Sequence, residues 1–257
     1  MSVLLEDHGA VRVLKVNRPH VHNCVDGETA TALAESITAF AADDAARVLV
    51  VTGAGEKSFC SGADLKNVET LLSHAWVERA GPMGFARLDP GKPVIGAVNG
   101  YCFAGGFELA AWCDFRIAEE HAEFGCLSRR WGVPYTDGGT QRFARIMGMG
   151  NALYMLETGM RIDARRAYAM GFVQEIVATG ASLGRALELA TRIAEYPNHT
   201  GIRADRAAAL AGFGVPLEEG LRLEAETTIP TVADPEMMAG LMRFASKDRP
   251  EAPRPAP

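Results

Sequence analysis

The sequence predicts an α/β fold made of repeated strand and helix units, with a purely helical region toward the C-terminal end. The first observation is an apolar run without alternation at residues 47–52 and again at 93–98, as in strands that are covered on both faces. Each run ends in a Gly-rich turn that leads toward a helix, and the two units lie about 45 residues apart. The second observation is that apolar residues beyond position 200 recur at helical spacing. We therefore expect ββα or βαβ units whose functional sites lie at the carboxyl ends of the strands.

The first elements are predicted to be a hairpin and a helix. Residues 2–17 alternate on either side of His8-Gly9, which predicts two paired strands. Pro19 ends the second strand because it cannot donate a hydrogen bond to a ladder. Asp26 is placed to cap the helix that follows. One apolar face of that helix consists of Ala30, Leu33, Ala34, Ile37 and Ala41.

The middle of the chain carries the repeated unit. The first buried strand leads through a Gly-containing turn at 59–65 into a short helix. Residues 66–90 mix helix and loop, and their glycines and prolines favour a mobile flap. The second buried strand leads into a turn at 99–106 and a short buried helix, and a third strand is expected near 115–118.

The last third of the chain changes from mixed structure to helix. Residues 125–139 are rich in turn formers and are predicted to be a loop. Further expected elements are helices at 140–147, 149–157 and 163–170, a strand at 172–177, and helices at 181–196, 200–212, 216–227 and 235–247. We therefore expect a core at 1–199, a helical region at 200–247 that serves as a lid or an oligomer contact, and a disordered proline-rich tail at 248–257.

Composition narrows the class of function. The formal net charge is −6 and the pI is about 5.6, which argues against nucleic acid as a partner. No apolar run approaches the ~20 residues of a membrane span, and no basic-then-apolar leader is visible, so we expect a cytoplasmic protein that does not enter a membrane. The five cysteines lack CxxC spacing and no histidine lies at ligand spacing, which indicates reduced thiols and no metal site.

The turn after the second buried strand is the first candidate for function. Gly105-Gly106 lets the backbone approach a ligand closely, and the free N–H groups of the helix that follows would point at that ligand. Glu108 lies in the first turn of this helix. On this stretch alone a packing turn, with Glu108 complementing the helix dipole, is the slightly favoured explanation.

Three stretches in order resemble the enoyl-CoA hydratase/isomerase (crotonase) superfamily. They are Phe59-Cys60-Ser61-Gly62-Ala63-Asp64-Leu65, then Asn99-Gly100-Tyr101 through Gly105-Gly106-Phe107-Glu108-Leu109-Ala110, then Gly138-Gly139-Thr140-Gln141-Arg142. The resemblance implies a crotonase-like ββα superhelix with a helical C-terminal region. It also implies an acyl-CoA substrate, no cofactor beyond the coenzyme A of that substrate, and a homotrimer or a dimer of trimers.

The resemblance further implies which residues bind the thioester. The backbone N–H groups of Ala63 and Gly105 would hold the thioester oxygen and stabilise the enolate formed during reaction. Residues at or near the coenzyme A would be Arg18, His22, Ser61, Ala63, Asp64, Leu65 and Gly105. His22 stands where many relatives have a fixed cation, so weaker attraction for phosphate is expected there.

The acid and base groups depart from the pattern of family hydratases, which use two glutamates. Glu108 matches the first, whereas the second falls at Ser128, whose hydroxyl titrates far above neutral pH. Glu108 either acts alone, or Asp137 on the same loop is the second carboxylate. The alternative for Asp137 is an N-cap on a helix that begins at Gly138, which we favour from the sequence because Asp before Gly-Gly is ordinary cap chemistry.

The sequence therefore predicts an enzyme that hydrates a 2-enoyl-CoA through an oxyanion hole and Glu108. Enoyl-CoA isomerisation, or another CoA-thioester lyase or hydrolase reaction with a single carboxylate, is the alternative with the same fold. A non-catalytic acyl-CoA-binding protein is the alternative outside enzymes, because one family glutamate is replaced by Ser128.

Overall fold

Two sheets organise the computed structural model, which describes residues 1–72 and 80–246. In chain order the strands are β1 (Val3–His8), β2 (Val11–Val16), β3 (Val48–Gly53), β4 (Ser58–Cys60), β5 (Val94–Val98), β6 (Tyr101–Phe103), β7 (Phe115–Glu119), β8 (Glu123–Gly125), β9 (Arg161–Asp163) and β10 (Glu175–Val177). The helices are α1 (Gly27–Ala42), α2 (Glu69–Leu72), α3 (Gly105–Trp112), α4 (Gly139–Thr158), α5 (Ala164–Ala169), α6 (Ser182–Glu195), α7 (His199–Gly212), α8 (Leu217–Thr228) and α9 (Pro235–Ala245). Short 3-10 segments lie at Pro19–Val21, Leu65–Asn67, Leu127–Trp131 and Ile229–Ala233.

The larger sheet has the strand order β1-β2-β3-β5-β7-β10. The β1 and β2 strands form the predicted antiparallel hairpin, and every later pairing in this sheet is parallel. One face packs against Ala186, Ala190 and Ala194 of α6, while the other face joins the main core with α1. Because both faces are covered, β3 and β5 are buried at every position, which is why their sequences do not alternate.

The smaller sheet has the order β4-β6-β8-β9 and supplies the second strand of each repeated unit. The β5 strand is followed by β6 and then α3, so the predicted ββα arrangement is confirmed. The carboxyl ends of β4 and β6 run in parallel and reach the same edge of this sheet. This edge brings the turn after β4 next to the start of α3, which is where the sequence placed the functional residues.

The predicted helix start at Asp26 is confirmed. Its Oδ1 accepts a hydrogen bond from the Thr29 N–H at 3.0 Å. The apolar face of α1 buries Leu33, Ile37 and Phe40. The four C-terminal helices α6 to α9 also lie within about two residues of their predicted bounds.

Several boundaries differ from the sequence prediction for identifiable reasons. The expected strand at 172–177 is limited to β10, because Phe172 enters an aromatic cluster in the core. The expected loop at 125–139 contains the 3-10 segment Leu127–Trp131. The two helices predicted around residue 148 form the single element α4, which breaks at Gly148 with φ +78°. Residues 73–79 of the expected flap and the expected tail beyond 247 lie outside the described residues.

Helix α3 is the most enclosed element of the fold. All of its residues are buried, although the helix is short and carries Glu108. The Phe107 ring lies 4.3 Å from the Phe143 ring and 4.5 Å from the Phe172 ring between centroids. These aromatic contacts hold α3 against α4 and the segment before β10, so its first turn has a fixed position. Across the described ranges, no helix is both long and apolar enough to span a bilayer.

Candidate active site

A cavity of about 130 Å³ opens between the turn after β4, the start of α3 and the 3-10 segment Leu127–Trp131. It is lined by all the residues that the sequence predicted as catalytic, namely Ala63, Gly105, Glu108 and Asp137. Most of the other lining side chains are apolar: Leu65, Met83, Leu127, Trp131, Val133 and Pro134. A larger cavity of about 250 Å³ behind α3 contains none of these predicted residues. The chemistry of the smaller cavity makes it the candidate site.

The N–H groups of Ala63 and Gly105 are two free donors at this cavity. Neither amide has an acceptor among residues 1–72 and 80–246. The two turns touch, since a Cβ on Gly62 would lie 2.7 Å from the Gly105 nitrogen. Gly62 also has φ +93°, so glycine is required there on both counts. The turns therefore present neighbouring donors to whatever occupies the cavity.

The residue before α3 has a strained backbone. Ala104 has φ 50° and ψ −124°, a conformation that residues with a Cβ rarely adopt. Its N–H donates to the Gly125 carbonyl at 2.9 Å, which ties the turn to β8. At Gly106 a Cβ would lie 1.9 Å from the Cys60 carbonyl oxygen. The turn is thus held in a costly shape by close backbone packing, as is common at functional sites.

Glu108 is buried with 3% of its surface exposed, and its carboxylate has a fixed orientation. Its Oε1 accepts hydrogen bonds from the N–H groups of Asp137 at 2.9 Å and Gly139 at 2.8 Å. Burial raises the pKa of Glu108 to about 8, and the neighbouring Asp137 carboxylate adds to this rise. The hydrogen bonds from the two N–H donors lower this pKa, because they stabilise the ionised carboxylate. Such a pKa near neutrality suits a group that takes and returns a proton.

The predicted N-cap role of Asp137 is wrong. Helix α4 begins at Gly139, and its N-cap residue is Gly138, which has no side chain that could cap the helix. The free N–H of Gly139 is instead met by Glu108 from α3. A tertiary contact from Glu108 therefore supplies the acceptor that the sequence analysis assigned to Asp137.

Asp137 instead connects the cavity wall to the segment around residue 83. Its Oδ1 accepts the Met83 N–H at 3.0 Å, and burial raises the pKa of Asp137 above its ordinary value. Met83 lies over Gly105, because a Cβ on that glycine would be 2.2 Å from the Met83 sulfur. The Asp137 carboxylate thus holds one wall of the cavity beside Glu108. No sequence motif marked Met83, since its role depends on this long-range contact.

Ser128 lies in the same cavity as Glu108, at the position where the sequence resemblance expected a second carboxylate. Its side chain is buried, and its Oγ has no hydrogen-bond partner within the described part of the chain. The buried hydroxyl of Tyr135 also lacks a partner there. Trp131 lines the cavity but remains 72% exposed, at its mouth.

The residues predicted to contact coenzyme A separate into two groups. Ser61 and Leu65 line the cavity together with the two free amides. Arg18 instead forms ion pairs with Asp26 at 2.9 Å and with Asp64 at 3.0 Å. His22 is exposed, and its carbonyl accepts the Ser61 N–H at 3.1 Å. Arg18 and Asp64 therefore shape the turn that carries Ala63, and His22 lies beside that turn.

The arrangement can perform two chemical tasks. Two preorganised N–H donors can stabilise negative charge that develops on one oxygen atom. A buried carboxylate with a raised pKa can move a proton to or from an adjacent atom. Apolar side chains around both groups reduce the competition from bulk water.

Comparison with known proteins gives a consistent result. The sequence profile of the enoyl-CoA hydratase/isomerase family matches residues 6–252. A crotonyl-CoA hydratase of Syntrophomonas wolfei is 33% identical over 250 residues, covering 96% of this chain and 95% of that protein. An (E)-benzylidenesuccinyl-CoA hydratase of Thauera aromatica is 36% identical over 223 residues, covering 86% of this chain and 87% of that protein.

Solved structures agree with the sequence comparisons. An enoyl-CoA hydratase from Mycobacterium marinum superposes with a TM-score of 0.89 at 30% identity, covering 97% of this chain and 98% of that chain. An enoyl-CoA hydratase from Bacillus anthracis gives a TM-score of 0.86 at 30% identity, covering 96% of this chain and 97% of that chain.

The raised pKa of Glu108 predicts a pH-dependent stability difference for Glu108→Gln. Below pH 4.5 the carboxyl is protonated in both folded and unfolded states, so the substitution changes little. Between pH 4.5 and about 8 the unfolded chain releases the proton that the folded protein retains, so wild-type stability falls. We expect the melting temperature of Glu108→Gln to exceed that of the wild type by a margin that grows from pH 5 to pH 8. Thermal unfolding at each pH measures this margin, and the exposed Glu56→Gln is the control. A margin independent of pH would contradict a buried, protonated Glu108.

Proposed function

The chain belongs to the enoyl-CoA hydratase/isomerase family, and we propose that it is an enoyl-CoA hydratase that adds water across the 2,3-double bond of a 2-enoyl-CoA. One observation carries this proposal: the N–H donors of Ala63 and Gly105, which have no acceptor in the described part of the chain, share a small cavity with the buried carboxylate of Glu108. The relatives named as hydratases support the same reaction class. Beyond the coenzyme A of the substrate, the reaction needs no cofactor.

The amides of Ala63 and Gly105 form the oxyanion hole in this proposal. They donate to the thioester oxygen, whose negative charge increases as the enolate forms. Gly105 is the first residue of α3, so the positive end of the helix dipole adds to the stabilisation. A preorganised donor of this kind is typically worth ~3 kcal/mol of the barrier.

Glu108 transfers the proton. As the water oxygen bonds to Cβ, the double-bond electrons move toward the thioester oxygen and one water proton passes to Glu108. The enolate then takes a proton from Glu108 at Cα, which restores the carboxylate. The net change is the addition of one water molecule, with its hydroxyl on Cβ and a hydrogen on Cα. The ionised form of Glu108 begins this cycle.

In this proposal the bound coenzyme A moiety extends out of the cavity along the turn at Ser61 and Leu65, toward His22. Both Ser61 and Leu65 line the cavity next to Ala63. We assign Arg18 and Asp64 to holding this turn, because their ion pair already engages the guanidinium.

The helical region from residue 200 onward forms the contact between subunits in our proposal, giving a homotrimer or a dimer of trimers. Within the described residues, its helices expose large apolar side chains that their own chain does not cover. The three most exposed of these are Leu217, Met242 and Ile229. Exposed apolar surface of this kind is typical of a subunit interface.

We expect wild-type protein to hydrate crotonyl-CoA, and Glu108→Gln to lower kcat by at least ~100-fold because it removes the proton carrier. Loss of the enoyl-thioester absorbance measures turnover, and product analysis identifies the 3-hydroxyacyl-CoA. Unchanged circular dichroism and unchanged binding of butyryl-CoA are the controls for folding. Conversion of a 3-enoyl-CoA to a 2-enoyl-CoA without any hydration would replace the hydratase proposal with isomerase.

The pH profile of Asp137→Asn tests the role of the second carboxylate. For the wild type, kcat/KM should rise with pH through a midpoint near 8, as Glu108 ionises. Asp137 raises the pKa of Glu108, so its removal should move the midpoint to lower pH while kcat stays within ~10-fold. The conservative control is Asp163→Asn at the start of α5. Complete loss of turnover in folded Asp137→Asn would instead identify Asp137 as the second acid–base group.

The double variant Leu217→Glu/Met242→Glu tests the assembly. Wild-type protein should have three or six times the 27.5 kDa mass of the chain. Charges at these two exposed positions should shift it toward monomer, because an ionised carboxylate is costly to bury without a partner. Light scattering coupled to gel filtration measures the mass. The matched control is Leu5→Glu on β1, an exposed apolar position outside the helical region. A monomeric wild type would contradict the assembly proposal.

A further inference from the structure

A polar cavity of about 300 Å³, the junction cavity, lies between the amino ends of two strands of the larger sheet and the helical region. Arg47 and Lys92, which precede β3 and β5, line it from the side of the core. His199, Thr200 and Arg203, in the first two turns of α7, line it from the helical side. None of the described residues that line it also lines the candidate active site. The junction cavity is therefore a separate feature of the molecule.

Lys92 brings a buried positive charge to the junction cavity. The residue is 2% exposed, and its ammonium donates to the carbonyls of Phe40 at 2.9 Å and Asp43 at 2.8 Å. It forms no ion pair with any carboxylate in residues 1–72 and 80–246. A charge removed from water is costly unless a counter-charge meets it. An ammonium has three hydrogens, so one remains for such a partner.

The start of α7 adds donors that lack acceptors. His199 is 7% exposed, and its Nε2 has no hydrogen-bond partner within the described part of the chain. The Thr200 N–H also has no acceptor there, as is usual for the second N–H of a helix. Arg203 donates from Nε to the Gly91 carbonyl at 2.9 Å and pairs with no described carboxylate. The positive end of the α7 dipole adds to these groups.

The cations of the junction cavity repel one another. Burial lowers the pKa of His199, and so do the positive charges of Arg47 and Arg203. Lys92 also lowers this pKa, whereas the Glu236 carboxylate raises it. Burial lowers the pKa of Lys92, and the charge of Arg203 adds to that effect. A bound anion would relieve this repulsion.

Three carboxylates also line the junction cavity, but they meet other groups or lie in solvent. Glu236 accepts the His199 N–H at 3.2 Å and pairs with Arg47 at 3.4 Å. Asp234 accepts the Glu236 N–H at 2.8 Å and so caps α9. Asp44 is exposed. These contacts leave the buried ammonium and the unmet donors of α7 without a carboxylate partner.

We propose that the junction cavity binds a phosphate group. Its ligands are the side chains of Lys92, His199 and Arg203 and the N–H of Thr200. A tetrahedral anion accepts hydrogen bonds from several directions, which matches donors that come from two sides of the cavity. A neutral imidazole can carry its hydrogen on Nε2 and donate it to the phosphate. The share of liquid volume of one water is ~30 Å³, so the cavity has room for a phosphate with a small group attached.

The bound phosphate would join the core to the helical region. Lys92 belongs to the core, whereas His199, Thr200 and Arg203 belong to α7. An anion that touches both sides stabilises the folded protein, because it binds the folded chain and not the unfolded one. This inference does not depend on the proposed hydratase function.

Calorimetric titration of the full chain with inorganic phosphate near pH 7 tests the proposal. Saturating butyryl-CoA is present throughout, so that phosphate is not measured at the acyl-CoA site. We expect saturable binding at a single site and weaker binding of acetate, which is planar and carries a single charge. Glycerol 3-phosphate is the second probe, and the tighter of the two phosphates identifies whether the cavity takes free phosphate or the phosphate group of a larger molecule.

Two variants assign the binding to the junction cavity. Arg203→Gln and His199→Asn should each raise the Kd for phosphate by ~10-fold or more, because a hydrogen bond to a charged group has about that effect on affinity. Arg222→Gln, an exposed position on α8, loses the same charge outside the cavity and should stay within about two-fold of the wild type. Circular dichroism checks that each variant is folded, and Arg203 is exposed, so its replacement leaves the core intact.

Four results would overturn the phosphate site. The first is the absence of saturable phosphate binding by the wild type. The second is acetate binding as tight as that of phosphate. The third is wild-type affinity in both folded variants. The fourth is phosphate binding that disappears when butyryl-CoA is added, because the phosphate would then occupy the acyl-CoA site.

Discussion

The active-site geometry depends on one buried hydrogen-bonded carboxylate that joins two helices. Glu108 projects from the first turn of α3 and accepts the N–H groups of Asp137 and Gly139, at and just before the start of α4. The Gly139 N–H is one of the orphan N–H groups that every helix start leaves unpaired, and Asp137 lies two residues before it. The same two hydrogen bonds fix the orientation of the Glu108 carboxylate. They therefore both join α3 to α4 and position the group that we propose transfers the proton.

The position of Glu108 in turn requires that α3 cannot move. At its N-terminal end, Gly106 packs so closely on the Cys60 carbonyl that a side chain has no space. At its C-terminal end, the guanidinium of buried Arg116 donates to the carbonyls of Ala110 at 3.2 Å and Cys113 at 2.9 Å. Arg116 also lies 4.8 Å from the centre of the Phe172 ring, which belongs to the aromatic cluster around Phe107. The helix is thereby held at both ends and along its side.

Burial determines the electrostatics of the site. Removing Glu108 from water favours its neutral form, and the Asp137 carboxylate nearby adds to that effect. The opposing hydrogen bonds from backbone N–H groups keep the pKa near 8 rather than higher. Within residues 1–72 and 80–246, Ser128 Oγ and the amides of Ala63 and Gly105 have no hydrogen-bond partner, and these residues line the same cavity as Glu108. Such groups are costly in an empty cavity and favourable when a ligand meets them.

The sequence by itself predicted most of the elements and named the candidate site residues. Three predictions that depend on local sequence patterns were confirmed. They are the hairpin at residues 2–17, the Asp26 cap and the buried strand β3, whose sequence does not alternate. The three ordered motifs identified Ala63, Gly105 and Glu108 as one candidate site, because the glycines that allow close backbone approach are visible in the sequence. Tertiary structure alone decided what Asp137 contacts, since the N–H it was expected to cap is met by Glu108 from another helix. It likewise decided that Met83 covers Gly105 and that Ser128 Oγ finds no partner among the described residues, because burial and long-range contacts leave no local pattern in a sequence.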